Sequence, residues 1–360
     1  MLIFNRDRTE SGNTLEGEKM VDKTKDLTRR EFVQTVGMGA AALAAASPAT
    51  LGLSMPSTIK NGMGYRILGR TGLEVSEVSL GGVAASASGA NLIRAALSQG
   101  INFIEAGSNF KNALAETAIG QVVKSMGIRD KVVILTKTAN LVMDRLLDAS
   151  SSEVEKAVRE ELEGSLKRFQ TDYFDVYLSP YAANSPKEVT FAALQEVLEK
   201  LKKEGKIRFT GFSTHYDYVN ICMAAIAGGY YDVIMFPINI ATLQPRIGKI
   251  VLDAKKADKE TGKKRDPEER PILNVRDVLQ AAQQKKVGVV AIKGAHEAFL
   301  PLFIRDQLKN EFAKDTKLSF HQFAYRYVLD QPQVSSISMR MANMVHLQEA
   351  LALSQKTLKG

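Results

Sequence analysis

Lys131-Val132-Val133-Ile134-Leu135-Thr136-Lys137 sets four consecutive aliphatic residues between two lysines. A strand with one wet face alternates apolar and polar residues, whereas an unbroken apolar run suits a parallel strand covered on both faces. Seven further short β-branched runs recur along the chain: Val75–Gly81, Ile101–Gly107, Asp172–Pro180, Ile207–Thr214, Tyr231–Asn239, Val287–Gly294 and Val334–Arg340. Amphipathic stretches lie between them. Ser152 precedes Glu155 at the capping-box spacing, and Val154, Val158, Leu162, Leu166 and Phe169 repeat along one helical face. Ser185-Pro186-Lys187-Glu188 opens another helix with proline at the first helical position, and Gly205 closes it. Eight strands with intervening helices over about 300 residues predict an α/β fold, a (β/α)8 TIM barrel. A doubly wound sheet is the competitor, but no Gly-x-Gly-x-x-Gly follows the first strand, which argues against its dinucleotide-binding version.

Two features interrupt the repeat. Residues 62–74 read as a β-hairpin before the first strand, with Gly69-Arg70-Thr71-Gly72 as its turn. Residues 252–270, LDAKKADKETGKKRDPEER, form a charged insertion after strand six. It reads as a solvated loop or helix extension. A lid over the barrel mouth is the alternative, because the connection leaves from the C-terminal end of a strand.

Composition bounds the function. The 360 residues are 45% hydrophobic and 24% charged, a globular balance rather than a disordered one. Lys and Arg exceed Asp and Glu by 48 − 40 = 8, a surplus that favours anionic ligands but is too scattered to predict nucleic-acid binding. The single cysteine, Cys222, excludes disulfide frameworks and cysteine-based zinc or iron–sulfur sites within one chain, and it reads as a small buried hydrophobe. His296, His321 and His346 show no metal-ligand spacing, so no metal is expected. No apolar run reaches the ~18–20 residues of a spanning helix, which predicts a soluble protein with no stable membrane insertion.

The segment Leu27–Gly52, LTRREFVQTVGMGAAALAAASPATLG, pairs Arg29 with Arg30 ahead of a short, weakly apolar, alanine-rich stretch. It resembles a twin-arginine export signal, with small-residue cleavage options near Ala44–Ala46. An alanine-rich helix packed on the domain is the other reading. Residues 1–55 are taken as signal and linker, and 56–360 as the barrel. The resemblance implies an exported or periplasmic protein with the twin-arginine translocation machinery as its partner.

In a (β/α)8 barrel, chemistry sits at the strand C-termini. Those ends read Glu105, Lys137, Ser179/Pro180, Thr214/His215, Asn239, Lys293 and Arg340. Glu105 and Lys137 on adjacent strands would form a buried ion pair, either structural or holding a cation for an oxyanion. Lys137, Lys293 and Arg340 would make a cationic rim suited to phosphate, carboxylate or a dinucleotide. His215 is the proton-transfer candidate, with Tyr181 and Tyr216 behind it.

Further residues point to a family. Tyr65-Arg66-Ile67-Leu68-Gly69-Arg70-Thr71-Gly72-Leu73-Glu74-Val75-Ser76 resembles the opening hairpin of the aldo-keto reductases. Gly100-Ile101-Asn102-Phe103, Glu116-Thr117-Ala118-Ile119-Gly120, Leu135-Thr136-Lys137, Asp172-Tyr173-Phe174-Asp175, Gly205-Lys206-Ile207-Arg208 and Gly211-Phe212-Ser213-Thr214-His215 continue the match in order. The Ser-Thr-His ending is similar to a bacterial branch that often carries an iron–sulfur module, which the cysteine count forbids here.

The resemblance implies carbonyl reduction with NADP or NAD on a small-molecule substrate, through an Asp, a Tyr acid, a Lys and a His at the barrel mouth. The family's Asp falls on Glu105, its Tyr on Phe110, its Lys on Lys137, and its His on or beside Pro180. Only the lysine is unchanged, and phenylalanine cannot donate a proton. The positions that hold the nicotinamide amide fall on Ser213, Thr214 and Met235, and the ring-stacking tyrosine falls on Ile292. Asn239, Lys293, Arg340 and Glu349 complete the candidate cofactor set. Three functions remain open: a reductase with an atypical catalytic site, a degenerate barrel that binds an anionic or carbohydrate ligand, and a lyase or epimerase using Glu105 and Lys137.

Overall fold

The computed structural model describes residues 58–81, 87–109, 113–138, 143–215, 217–243, 249–252, 268–271, 273–295 and 318–354. The export-signal segment, Phe110, Tyr216, His296 and the centre of the charged insertion lie outside the described residues.

Three short strands open the described residues: β1 (Thr58–Lys60), β2 (Met63–Ile67) and β3 (Glu74–Ser76), an antiparallel sheet in the order β1-β2-β3. The expected hairpin is therefore present, with one strand added in front. Nothing in Thr58–Lys60 signals a strand, since all three residues are exposed. The turn is a 3-10 helix, Gly69–Thr71, closed by Gly72 in the left-handed region. Gly69 is also at φ +53, and a Cβ there would lie 2.2 Å from the backbone nitrogen of Gly288, so this crossing admits no side chain.

The barrel follows: β4 (Val78–Gly81), β5 (Phe103–Glu105), β6 (Val133–Lys137), β7 (Phe174–Leu178), β8 (Ile207–Ser213) and β9 (Val233–Pro237). A separate antiparallel ribbon, β10 (Lys249–Leu252) with β11 (Glu268–Pro271), brackets the charged insertion, and β12 (Gly288–Ile292) and β13 (Ser336–Arg340) complete the ring. The ends of the insertion are thus strands rather than the expected loop or helix extension. The closed order is β12-β13-β4-β5-β6-β7-β8-β9, all parallel, and each barrel strand lies inside one of the eight apolar runs.

Alternation along these strands builds two separate cores. Phe103, Val133, Leu135, Val176, Leu178, Val233, Met235 and Val290 fill the inside of the barrel together with Leu68 and Val75 from the opening sheet. Ile104, Ile134, Tyr177, Phe212, Ile234, Phe236, Val289 and Ile337 face outward, in one larger core that includes the buried faces of the helices. Strands such as β6, β7 and β9 are buried on both sides, which is why their sequences run nearly unbroken in apolar residues.

The helices are α1 (Ala87–Ser98), α2 (Leu114–Met126), α3 (Met143–Leu147), α4 (Ser151–Phe169), α5 (Pro186–Val189), α6 (Ala192–Lys203), α7 (Tyr218–Gly228), α8 (Arg276–Gln284), α9 (Phe320–Leu329) and α10 (Met344–Ser354). α4 buries the five residues expected of it. Its capping box, however, is Ser150 with Glu153, not Ser152 with Glu155: the Glu155 carboxylate is held by Arg159 and Lys200 instead. The helix expected from Ser185 to Gly205 is broken in two. The Thr190 hydroxyl donates to the Pro186 carbonyl at 3.0 Å and the Gln195 amide donates to the Val189 carbonyl at 3.0 Å, so side chains satisfy the end of α5 before α6 begins.

Charged side chains seal the N-terminal end of the barrel. Arg66 and Arg326 both pair with the buried carboxylate of Glu77, and Arg66 also donates to the Val334 carbonyl at 2.7 Å. The Gly64 amide donates to the Ser354 hydroxyl at 2.7 Å, tying β2 to α10. Arg70 reaches Asp232 at 2.8 Å and the Tyr231 carbonyl at 2.7 Å. Asp175 accepts from Arg129, Arg208 and the Ile134 amide. These carboxylates lie at the opposite end of the strands from the candidate site, where barrel residues serve stability.

Candidate active site

Glu105 ends β5 and Lys137 ends β6, and both side chains point inward by the alternation that buries Phe103 and Leu135. In register Glu105 is opposite Leu135, so Lys137 stands one inward position higher. Its ammonium reaches back to Glu105, and the pair is sealed, with 3% and 5% side-chain exposure. Ser338 on β13 donates to the other Glu105 oxygen at 3.1 Å. Both carboxylate oxygens are therefore occupied.

Two glycines make room for this pair. A Cβ on Gly81 would lie 2.1 Å from Ser338 Oγ and 3.0 Å from Glu105 Oε2; one on Gly107 would lie 2.5 Å from Lys137 Cε. A buried ion pair adds little net stability over apolar residues of like volume. What this one provides is a lysine fixed at one place in the barrel mouth.

Above the lysine, its Nζ lies 5.0 Å from the ring centroid of Tyr181. The Asn109 side-chain amide donates to the Tyr181 hydroxyl at 3.1 Å, and His215 meets the Tyr181 ring edge-on, with centroids 6.1 Å apart. Glu105, Lys137 and His215 are thus brought into one cluster through Tyr181. Sequence reasoning placed Tyr181 only behind His215 and did not single out Asn109 or Ser338. Ser338 could have been found as a polar residue at an inward position of the last strand.

The candidate cofactor residues divide into two groups. The Ser213 hydroxyl accepts from the Ala182 amide at 3.1 Å, and the Thr214 hydroxyl donates to the Ala183 carbonyl at 2.8 Å, so both brace the segment after β7. Asn239 is fully buried in a turn: its side-chain oxygen accepts from the Thr242 amide at 3.1 Å. These three hold local backbone.

Lys293 and Arg340 form the second group, at the ends of the adjacent strands β12 and β13. Arg340 is exposed. Lys293 is partly buried at φ +59, and burial pulls its ammonium from 10.5 to about 8. An ammonium kept partly from water, in a backbone conformation side chains avoid, is suited to an anionic ligand. In the eight-strand order β12 stands four places from β6, so the strand end that carries Lys293 lies opposite the one that carries Lys137. Glu349 lies within α10, and its charge acts on Tyr325, whose ring limits the space beside Gly294.

The remaining sequence candidates are structural where they are described. His346 accepts from the Ala342 amide at 3.3 Å at the start of α10, and His321 is exposed on α9. Cys222 is fully buried, and desolvation pushes its thiol well above the usual range, which makes it a poor nucleophile. Among the described residues no group of His, Cys, Asp and Glu could hold a metal ion, and no helix is long and apolar enough to cross a membrane.

The sequence profile of the Aldo/keto reductase family matches residues 78–258. Aldo-keto reductase YhdN of Bacillus subtilis is 33% identical over 160 residues, 42% of this chain and 47% of that protein. L-galactose dehydrogenase of Arabidopsis thaliana is 29% identical over 199 residues, 49% of this chain and 58% of that protein. The chain thus spans about half the length of the curated relatives it matches. Among solved structures, the holo form of aldo-keto reductase AKR11C1 from Bacillus halodurans superposes with a TM-score of 0.61 at 21% identity, covering 82% of this chain and 92% of that one. An aldo-keto reductase from Klebsiella pneumoniae in complex with NADPH superposes with a TM-score of 0.55 at 21% identity, covering 82% and 90%.

Proposed function

Because the chain belongs to the aldo/keto reductase family, we propose that it is an NAD(P)H-dependent oxidoreductase acting on a small carbonyl compound through an atypical catalytic site. The buried Lys137–Glu105 pair at the strand ends carries the reading: it keeps the family's lysine and a carboxylate at the mouth, with Glu in place of Asp. Bound nicotinamide would supply the hydride. Lys137 sets a positive charge where the carbonyl oxygen gains electron density, and Glu105, fixed by Ser338, keeps that charge in place.

The residues present fit such a cofactor at its anionic end. Lys293 and Arg340 offer two cations on neighbouring strands to the diphosphate or adenosine phosphate, and the low affinity of Lys293 for its proton is relieved when an anion arrives. Ile292 turns an apolar, partly buried side chain to the barrel interior, where a flat ring can lie. We also propose that the chain is exported by the twin-arginine route directed by Arg29 and Arg30, a route that carries folded proteins.

One observation favours a second reading. Ser213 and Thr214, two of the positions expected to hold the nicotinamide amide, bond to backbone, as does the cofactor candidate Asn239, and Phe110 replaces the family's acid. A barrel that binds an anion without turnover would show the same pattern. Titration of the signal-free protein with NADPH and NADH, read by tyrosine fluorescence and thermal shift, separates the two. Ligand at a hundredfold excess over Kd stabilises by about 2.7 kcal/mol. A shift of that size followed by turnover in a carbonyl screen supports the reductase. No shift at millimolar cofactor leaves the anion-binding barrel.

A further inference from the structure

We propose that Tyr181 is the proton donor of this site, doing from the loop after β7 what the family's tyrosine does from the position of Phe110. The proposal rests on the oxidoreductase reading above.

The geometry points to this residue in three ways. Among the described residues, Tyr181 is the tyrosine whose ring meets the Lys137 ammonium, 5.0 Å from the ring centroid. Its hydroxyl oxygen accepts a hydrogen bond from Asn109 at 3.1 Å, which leaves the hydroxyl proton free to point elsewhere. An N–H is thus aimed at the hydroxyl oxygen, and a buried cation lies over the ring. His215 packs edge-on against the ring and limits its swing.

The other candidates are placed less well. Tyr177 and Tyr231 are fully buried in the outer core and Tyr65 donates to the Gly100 carbonyl behind the opening sheet. Tyr218 bonds the Leu273 backbone. Lys293, whose ammonium burial pulls to about 8, sits at the end of β12, four strands from Lys137. Tyr181 also directly follows Pro180, at the strand end where the family's histidine falls. Donor and lysine would then come from neighbouring strands, β7 and β6, instead of from the loop after β5.

The step balances simply. The Tyr181 O–H bond breaks and its proton forms an O–H bond with the carbonyl oxygen, whose carbon receives the hydride from the reduced nicotinamide. The tyrosinate then takes a proton from water.

The test is Tyr181→Phe, which keeps the ring, its cation contact and its packing on His215. A general acid is worth about 10²- to 10⁴-fold in rate, so kcat should fall by that range while the Kd for NADPH and the thermal midpoint stay within error of the parent protein. Affinity of the NADP+-loaded protein for benzoate, whose carboxylate stands in for the developing alkoxide, should weaken about tenfold. Asn109→Ala should lower kcat less than Tyr181→Phe does. Adding Phe110→Tyr to Tyr181→Phe should recover at least a tenfold rate, which a merely structural role would not produce. Turnover and benzoate binding unchanged in Tyr181→Phe overturn the assignment and leave the reductase intact. Loss of NADPH binding together with activity in Tyr181→Phe also overturns it, in favour of a packing role. Failure of the parent protein to bind either nicotinamide overturns the reductase reading itself.

Discussion

Replacing Glu105 by Gln keeps side-chain volume and removes only the charge. The consequence can be worked from the burial of the pair: Lys137 is 3% exposed and its carboxylate partner 5%, so the uncompensated ammonium remains in a low-dielectric interior. Breaking a buried pair from one side costs about 3–5 kcal/mol. For a chain of this size a ~4 kcal/mol loss corresponds to a thermal midpoint lowered by roughly 6 °C. Lys137→Met leaves the opposite charge, a carboxylate with Ser338 as a remaining donor, and should fall within the same range. The double variant removes both charges and should return to the parent stability or exceed it by about 1–4 kcal/mol. Urea and thermal denaturation of the four proteins complete the cycle, which reads the coupling directly. Two single variants within 1 kcal/mol of the parent, or a double variant equal to their sum, would falsify the claim that this pair is sealed and mutually dependent.

Lys293 carries a pH signature. Burial holds its folded value near 8 against 10.5, so the folded state binds fewer protons than the unfolded one between those limits, and stability rises with pH across that window. Lys293→Met should therefore be more stable than the parent at pH 7, by up to about 3 kcal/mol, with the gap closed by about pH 10.5; a gap that is flat with pH contradicts the assignment. Affinity for NADPH should fall as pH rises through about 8 in the parent and stay level in the variant. Gly69→Ala and Gly72→Ala both place a Cβ at positive φ, but only the first meets backbone, at 2.2 Å, while the second meets nothing within 4 Å. The Gly72 variant should cost about 1 kcal/mol and the Gly69 variant clearly more, measured by urea midpoint; equal losses would show that the close crossing at Gly288 is not tight. Changing Arg29 and Arg30 together to Lys should hold the protein in the cytoplasm of a bacterium with the twin-arginine machinery, and unchanged periplasmic accumulation on fractionation refutes that route.

The fold was legible because parallel strands sealed on both faces leave several nearly unbroken apolar runs, and eight short β-branched runs separated by amphipathic stretches admit few arrangements. Glu105 and Lys137 were legible for a related reason: a charge that ends such a run must stand at a rim. Ser338 was not, because its bond to Glu105 depends on how β13 and β5 flank β4, and no local pattern records that register. Tyr181 was undervalued since its contact with Lys137 depends on the path of the loop after β7. The stretch Ser150-Ser151-Ser152-Glu153-Val154-Glu155 offers two capping boxes of equal merit, and the choice between them is made by Arg159 and Lys200, which hold the second glutamate. The break between α5 and α6 was hidden because Thr190 and Gln195 supply side-chain caps that resemble ordinary surface residues.

The seal at the N-terminal end of the barrel joins its first strands to its last elements. Gly64 bonds to Ser354 across 290 residues, Arg66 to Val334 across 268, and β13 pairs with β4 to close the ring. Contacts this distant form late, because the loops they close must be ordered first. A nascent chain leaving the ribosome has no partner for the Glu77 carboxylate on Arg326, nor a neighbour for the edge of β4, until residues 326–340 have been made. A chain cut before Ser336 therefore retains an open sheet edge that invites other chains to pair with it.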